Sequence, residues 1–292
     1  MSITYKFIDR IIRKKDFKHR YDMPEDEFLN HLKTNERPED MPQPVYKELD
    51  VKKSVMDGRV MFRLTSPKGT NGRVILFLHG GGGMFAPTPF HYNFVTKLVQ
   101  ITHAELLFPF YPLAPEATAD MSAEWIFNAY EEILKEHNPE NITVIGDSAG
   151  ALLAARLVSH TKHKPRGLVL ISPVTGTDKD DEAYREAKRN DILLSEFVVE
   201  MIGKYWGKDI PLASARMNAE YIDFTDFPPT MLFYGTGEMF APHMDKLIAN
   251  IEKSGTNLKV HVGKGMCHDW AIISLIPEGQ RALKRICKFV NK

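Results

Sequence analysis

The pattern of apolar and polar residues changes near residue 45. Before that point the chain is polar and helical in pattern, and a second helix is expected to begin at Pro24. The first twenty residues carry an apolar stripe at near-helical spacing, made of Ile3, Phe7, Ile8, Ile11 and Ile12. The opposite face is basic, with seven Lys and Arg against two Asp. We expect the stripe to pack on the rest of the protein, and a helix lying on a membrane surface is the alternative.

Beyond residue 45, strands and helices alternate. Residues 45–51 and 55–65 are expected to be strands joined by a hairpin turn at Asp57-Gly58. Short apolar runs then predict further strands at 74–78, 105–110, 142–145, 168–171, 230–234 and 258–262. Helical stretches lie between or after them, at 90–102, 121–137, 148–162, 242–254 and 277–291. This alternation is typical of an α/β fold in which helices cover both faces of a mostly parallel sheet.

Residues 178–219 interrupt this alternation. They are charged and helical in pattern, and they contain no good strand. We therefore expect them to form an insertion above the sheet. The chain shows no internal repeat, and its 292 residues suit one large α/β domain.

The segment Gly146-Asp-Ser-Ala-Gly150 follows the predicted strand at 142–145 and precedes a helix. A G-x-S-x-G sequence in this setting predicts a nucleophile elbow, a tight turn that exposes Ser148 at the N-terminus of a helix. Negative charge that develops there is stabilised by the helix dipole. A glycine-rich turn with a capping serine is the alternative, because five-residue matches also occur by chance.

A second glycine-rich segment, His79-Gly80-Gly81-Gly82-Gly83, directly follows the strand at 74–78. Glycines let the backbone approach a ligand and direct its N–H groups inward. We expect the N–H groups near Gly81, with Gly80 or Gly82, to join that of Ala149 in an oxyanion hole. The rival is a phosphate-binding loop, but the chain lacks the Lys-Ser/Thr pair and the spacing of that motif.

A nucleophilic serine needs a general base, and His268 is the strongest of the 11 histidines. It follows the strand at 258–262 by a short loop, and the order serine, acid, histidine is that of the elbow-containing hydrolases. His79 is the next candidate, although its place beside the glycines favours a structural role.

The acid that orients the histidine should follow the strand at 230–234. Glu238 occupies that place and is the predicted acid. Asp245 is the runner-up, one or two turns into the next helix. Asp269 is disfavoured, because side chains adjacent in sequence rarely align for this hydrogen bond.

Composition mainly excludes functions. The chain has 43% hydrophobic and 26% charged residues, as soluble globular proteins do. Its 38 basic and 38 acidic residues cancel, so no global field attracts nucleic acid or an anionic membrane. Two cysteines, Cys267 and Cys287, cannot form a disulfide framework. No secretory signal and no apolar run of membrane-spanning length is apparent, so we expect a cytoplasmic protein without an integral membrane segment.

Four ordered motifs together resemble the hormone-sensitive-lipase-like esterases of the α/β-hydrolase fold. They are the glycine segment from His79, Tyr111-Pro-Leu-Ala-Pro-Glu116, the elbow at Ser148, and Gly263 to Trp270 with His-Asp-Trp. The resemblance covers about residues 45–292. It implies a helical cap, here built from residues 1–45 and 178–219, and oxyanion donors from the glycines and Ala149.

The chain departs from the family's pattern at three points. The acid position is Glu238 where an aspartate is usual. The elbow continues with Ala151 where many members have a second glycine. Gly83 and Met84 precede Phe85, whereas a large aromatic residue commonly follows the glycine motif directly, and this could reshape the acyl pocket.

The sequence thus predicts a serine carboxylesterase that forms an acyl-enzyme on Ser148 and needs no metal or organic cofactor. The resemblance favours small-molecule esters with short acyl chains. A peptidase or amidase stays open because the chemistry is shared, as does a non-catalytic small-molecule receptor on the same fold. A homodimer is also left open.

Overall fold

A single mixed sheet runs through the computed structural model, which describes residues 1–35, 39–176 and 181–292. Its eight strands are β1 Asp50–Met56, β2 Arg59–Thr65, β3 Val74–Leu78, β4 Glu105–Pro109, β5 Ile142–Asp147, β6 Gly167–Ile171, β7 Thr230–Gly235 and β8 Leu258–Gly263. Their spatial order is β1-β2-β4-β3-β5-β6-β7-β8. β2 pairs antiparallel with β1 and β4, and all the other neighbours are parallel. The predicted mostly parallel sheet is confirmed.

The α-helices are α1 Ile3–Lys14, α2 Glu25–Asn35, α3 Gln43–Glu48, α4 Pro89–Thr102, α5 Ala119–Leu134, α6 Ala149–His160, α7 Glu182–Asn190, α8 Glu196–Met201, α9 Met244–Lys253 and α10 Pro277–Val290. β3 shows how they cover both faces, since successive side chains point to opposite sides of a strand. Leu76 and Leu78 pack on one face of the sheet, in a buried apolar cluster with residues of α5, α6 and α9. Ile75 and Phe77 pack on the other face, in a second buried apolar cluster with residues of α4 and α10. Burial on both faces explains why the central strands are continuous apolar runs.

The N-terminal border of the sheet differs from the prediction in two elements. The strand expected at 55–65 begins only at Arg59, because residues 55 and 56 belong to β1. The strand expected at 45–51 is wrong, because Val45 lies in α3 and β1 begins only at Asp50. Pro42 caps α3, and a second proline lies in its first turn, where the missing N–H of proline costs no hydrogen bond. The hairpin turn is confirmed: Asp57 and Gly58 both have positive φ, at 47° and 72°, as the turn requires.

α1 divides the apolar stripe of the first twenty residues between protein and solvent. Ile8 and Ile12 pack against the core of the α4–α10 face. Ile3, Phe7 and Ile11 are exposed. The expectation that the whole stripe packs on the protein is therefore wrong for these three residues.

The insertion after β6 is helical where it is described; residues 178–180 of the predicted segment lie outside the described residues. It contains α7, α8 and a π-helical turn, Ile202–Gly207. Aromatic rings connect the insertion to α2, and α2 to the loop after β3. The ring centroid of Phe28 in α2 lies 5.3 Å from that of Phe197 in α8 and 5.8 Å from that of Phe85 in the loop. None of the described helices has both the length and the apolar character needed to cross a membrane.

Candidate active site

The elbow at Ser148 lies where β5 ends and α6 begins. Ser148 adopts φ 51° and ψ −120°, and positive φ is rare for a non-glycine residue. Its neighbours are glycines because side chains would not fit. A Cβ on Gly146 would lie 2.3 Å from the carbonyl oxygen of Gly150, and one on Gly150 would lie 2.1 Å from that of Leu78. The Ser148 N–H donates to the Ile171 carbonyl at 2.8 Å and ties the turn to β6.

The glycine loop runs directly against this elbow. A Cβ on Gly80 would lie 3.1 Å from that of Ser148. Gly81 and Gly82 have positive φ, at 102° and 62°, which glycine adopts without strain. In the described part of the chain, the N–H groups of Gly81, Gly82 and Ala149 donate to no backbone carbonyl. They are therefore available to bind an oxyanion beside Ser148.

His79 supports the glycine loop rather than taking part in proton transfer. Its Nδ1–H donates to the Gly80 carbonyl at 2.7 Å, and the Tyr111 hydroxyl donates to the His79 carbonyl at 2.6 Å. The rings of His79 and Tyr111 stack with 4.5 Å between centroids. Burial, followed by the nearby His91, lowers the pKa of His79 to about 3, so its imidazole stays neutral. The Tyr111 motif thus acts on the loop through the backbone.

Ser148, His268 and Glu238 form one hydrogen-bonded chain. His268 Nε2 lies 2.8 Å from Ser148 Oγ, and His268 Nδ1 lies 3.1 Å from Glu238 Oε2. All three side chains are buried. Asp245, the alternative acid, is exposed in the first turn of α9.

The charges of this chain favour a protonated histidine. Burial alone would lower the pKa of His268, but the carboxylates of Asp269 and Glu238 outweigh it and raise the pKa to about 10. Burial raises the pKa of Glu238, while the hydrogen bond and charge of His268 oppose that rise. Each partner thus stabilises the charged form of the other.

Asp269 contacts His268 from a side that the sequence did not predict. It does not contact Nδ1, so its rejection as the orienting acid agrees with the geometry. Its Oδ2 instead lies 3.3 Å from His268 Nε2, the nitrogen that also faces Ser148. The only signal for this contact in the sequence was that Asp269 directly follows His268. The left-handed backbone of Asp269, with φ 55°, directs its carboxyl group towards the His268 ring.

Two further buried acids contact the surroundings of the site. Asp147 belongs to the elbow motif, which predicts no role for its side chain, and no motif signalled Asp191. Asp147 accepts a hydrogen bond from His91 Nε2 at 2.9 Å, behind the elbow and the glycine loop. Asp191 lies at the end of α7. Its carboxylate accepts a hydrogen bond from the Met239 N–H at 2.9 Å and thereby holds the residue that follows Glu238. The insertion therefore contacts the loop that carries the predicted acid.

Side chains of the π-helical turn lie over the glycine loop. A Cβ on Gly82 would lie 2.2 Å from Ile202 Cδ1, and one on Gly83 would lie 2.3 Å from the Trp206 ring. Trp206 is fixed in place, since its Nε1–H donates to Ser122 Oγ at 3.1 Å. Gly82 and Gly83 therefore have no room for side chains, and the surface that covers the loop there is apolar.

Comparisons with known proteins identify the family of the chain. A family profile described as alpha/beta hydrolase fold matches residues 75–272. The chain is 28% identical over 226 residues to an esterase of Acinetobacter venetianus, covering 75% of each protein. It is 27% identical over 228 residues to an acetyl-hydrolase of Streptomyces hygroscopicus, again covering 75% of each.

Among solved structures, the chain resembles an esterase from the bacterial hormone-sensitive lipase family. The TM-score is 0.82 at 21% identity, with 100% of this chain and 98% of the other covered. This likeness extends the agreement in fold to the whole length of the chain, including the helices outside the matched family region.

Proposed function

The chain belongs to the α/β-hydrolase fold family, among its hormone-sensitive-lipase-like esterases, and we propose that Ser148 is the nucleophile of its carboxylic ester hydrolase activity. The observation that carries this proposal is the 2.8 Å contact between Ser148 Oγ and His268 Nε2, with Glu238 on the other ring nitrogen. A base within hydrogen-bond reach activates a serine hydroxyl that is otherwise a weak nucleophile.

The reaction is a two-step acyl transfer. His268 takes the proton as Ser148 Oγ attacks the ester carbonyl, and Glu238 stabilises the imidazolium that forms. The carbonyl oxygen becomes an oxyanion that accepts hydrogen bonds from the N–H groups of Ala149 and of the glycine loop at Gly80, Gly81 and Gly82. The imidazolium then protonates the leaving alcohol, and water releases the acid by the same route.

We propose short acyl chains as substrates. Ile202 packs against Gly82, and Trp206 packs against Gly83. These contacts leave little room for an acyl chain above the proposed oxyanion hole. The acetyl-hydrolase among the relatives supports a small acyl group. The α2 helix and residues 181–219 fit the role of a cap, because their aromatic contacts close over the glycine loop.

Hydrolysis of p-nitrophenyl esters by wild type and Ser148→Ala tests the proposal. We expect wild type to cleave the acetate and butyrate esters and the variant to lose activity by about four to six orders of magnitude in kcat, as when a nucleophile of such a triad is removed. Equal activity in the two proteins would refute the assignment. A matched peptide amide, cleaved as fast as the ester, would instead favour a peptidase.

A further inference from the structure

Asp269 places a second carboxylate against the imidazole of His268. Its Oδ2 lies 3.3 Å from Nε2, whereas Glu238 contacts Nδ1. The Asp269 side chain is 18% exposed, and its Oδ1 has no hydrogen-bond partner in the ranges that the structure describes. His268 thus has a carboxyl group at each ring nitrogen, and triad chemistry requires one at only one of them.

The backbone holds Asp269 in this position. Its φ of 55° is left-handed, and its N–H donates to Ser172 Oγ at 3.1 Å. Ser172 is itself buried and left-handed, with φ 44°. Two adjoining non-glycine residues with positive φ are unusual, and such conformations concentrate at functional sites.

A carboxylate at Nε2 has opposite effects in two states. It stabilises the imidazolium that forms when Ser148 attacks, but it also stabilises the imidazolium of the free enzyme, which cannot accept a proton. On the basis of the proposed function, we propose that Asp269 is a positioning residue that holds charged His268 from the Nε2 side and confines esterase activity to alkaline solution.

The other acidic groups favour the charged form of His268, whereas burial and these same groups raise the pKa of Asp269, a rise that the charge of His268 opposes. Glu238 follows β7, and Asp191 at the end of α7 also favours the charged form of His268. Asp147, next to Ser148 in the elbow, also raises the pKa of Asp269. Burial lowers the pKa of His268, yet these carboxylates, Asp269 first among them, bring it to about 10.

The dependence of kcat/KM on pH tests this role. In Asp269→Asn the midpoint of the acid limb should fall by about one to three pH units, as expected for loss of a charge at this distance. The alkaline plateau should also fall, because the transition state loses a counter-charge. Asp245→Asn, which removes an exposed carboxylate, is the control and should leave the midpoint unchanged.

A lower plateau with an unchanged midpoint would overturn the inference and leave Asp269 a structural residue. Asp269→Gly gives a second reading, because glycine accepts the left-handed backbone, and it should shift the midpoint in the same direction. An active Ser148→Ala would refute the proposed function itself. An inactive Ser148→Ala with an unmoved midpoint in both Asp269 variants would refute this inference alone.

The exposed side of α1 carries a second inference, which does not depend on the enzyme chemistry. Ile3, Phe7 and Ile11 recur every fourth residue and are 88%, 61% and 39% exposed. Lys6, Arg10 and Lys14 recur with the same period and are exposed beside them. An apolar row bordered by cations is the arrangement of helices that lie in the headgroup region of a bilayer.

The flank of this face is also basic. A groove of about 420 Å³ is lined by Lys6, Arg10 and Arg13, with Asp9 as the acid among its lining residues. The charge complements an anionic headgroup, and the apolar row complements acyl chains. We infer that α1 docks the protein on anionic lipid surfaces.

Co-sedimentation with vesicles of phosphatidylcholine, with and without phosphatidylglycerol, tests this docking. Wild type should sediment with the anionic vesicles and detach at high salt, because surface attraction is screened. The combined variant Ile3→Ser/Phe7→Ser should lose binding and keep its activity on soluble esters. Leu212→Ser, which replaces another exposed apolar residue, should bind as wild type does.

Wild type that stays in the supernatant with both vesicle types would overturn the inference. So would a wild-type dimer that the Ile3→Ser/Phe7→Ser variant converts to a monomer without any vesicle binding, because the face would then pair with a second copy of the chain. Lys6→Gln/Arg10→Gln/Lys14→Gln should remove the preference for phosphatidylglycerol; a preference that persists would contradict the role of charge.

Discussion

Glu238 is held from both sides by its backbone. The Gly237 N–H donates to the Met266 carbonyl at 2.9 Å, in the loop that carries His268. The Met239 N–H donates to Asp191. These bonds keep the glutamate, one methylene longer than the aspartate usual at this position, within reach of His268 Nδ1. The longer side chain therefore fits the orienting role that we propose for it.

Replacing Glu238 by Gln keeps the size of the side chain and removes its charge. We expect kcat/KM for p-nitrophenyl acetate to fall by about 10²- to 10⁴-fold, because the imidazolium loses its counter-charge and the neutral ring its orientation. Asp245→Asn should stay within about twofold of wild type, as expected of a surface substitution away from the site. Equal losses in the two variants would contradict the assignment of the acid.

At the scale of elements, the site depends on where β3, β5, β7 and β8 end. Their carboxyl ends lie at the same edge of the parallel part of the sheet, with β6 between β5 and β7, and the glycine loop, Ser148, Glu238 and His268 follow them in turn. The π-helical turn then lies over the glycine loop from the opposite side. The sheet thus positions the groups that we propose to react, and we propose that the insertion limits the space for substrate.

Ile202 provides a direct test of that limit. Ile202→Ala removes the side chain that contacts Gly82 and should enlarge the site. We expect the ratio of kcat/KM for p-nitrophenyl hexanoate to that for the acetate to rise by about tenfold, which corresponds to the burial of about two further methylenes at about 0.8 kcal/mol each. Ile101→Ala, on the exposed side of α4, is the matched control. An unchanged ratio would contradict the role of the turn in acyl selection.

Across the whole molecule, apolar patterning predicted the sheet well because its central strands are buried on both faces. It failed at the edges. Near Val45 the chain forms α3 instead of the expected strand, because prolines favour the start of a helix there. In α1, only tertiary contacts decide which apolar residues pack on the protein and which are exposed, and the periodicity of the sequence does not contain them. The elbow and His268 were predictable from motif and order. The contact of Asp269 with Nε2 was not, because it arises from a left-handed backbone.

His268 also links stability to pH. Its pKa is about 10 in the folded protein, above the ordinary value of 6.5. Its contribution to stability is therefore complete below pH 6.5 and is lost as pH rises through 10. We expect the difference in unfolding free energy between wild type and His268→Ala, measured by urea titration, to shrink over that window. A difference that stays constant would contradict the raised pKa.

The most direct test of the central claim is covalent labelling with a fluorophosphonate, followed by mass spectrometry of the peptides. We expect one adduct, on Ser148, that forms rapidly in wild type and is strongly slowed in His268→Ala, because the serine then lacks its base. A wild-type protein that stays unlabelled, or an adduct on another residue, would contradict Ser148 as the nucleophile.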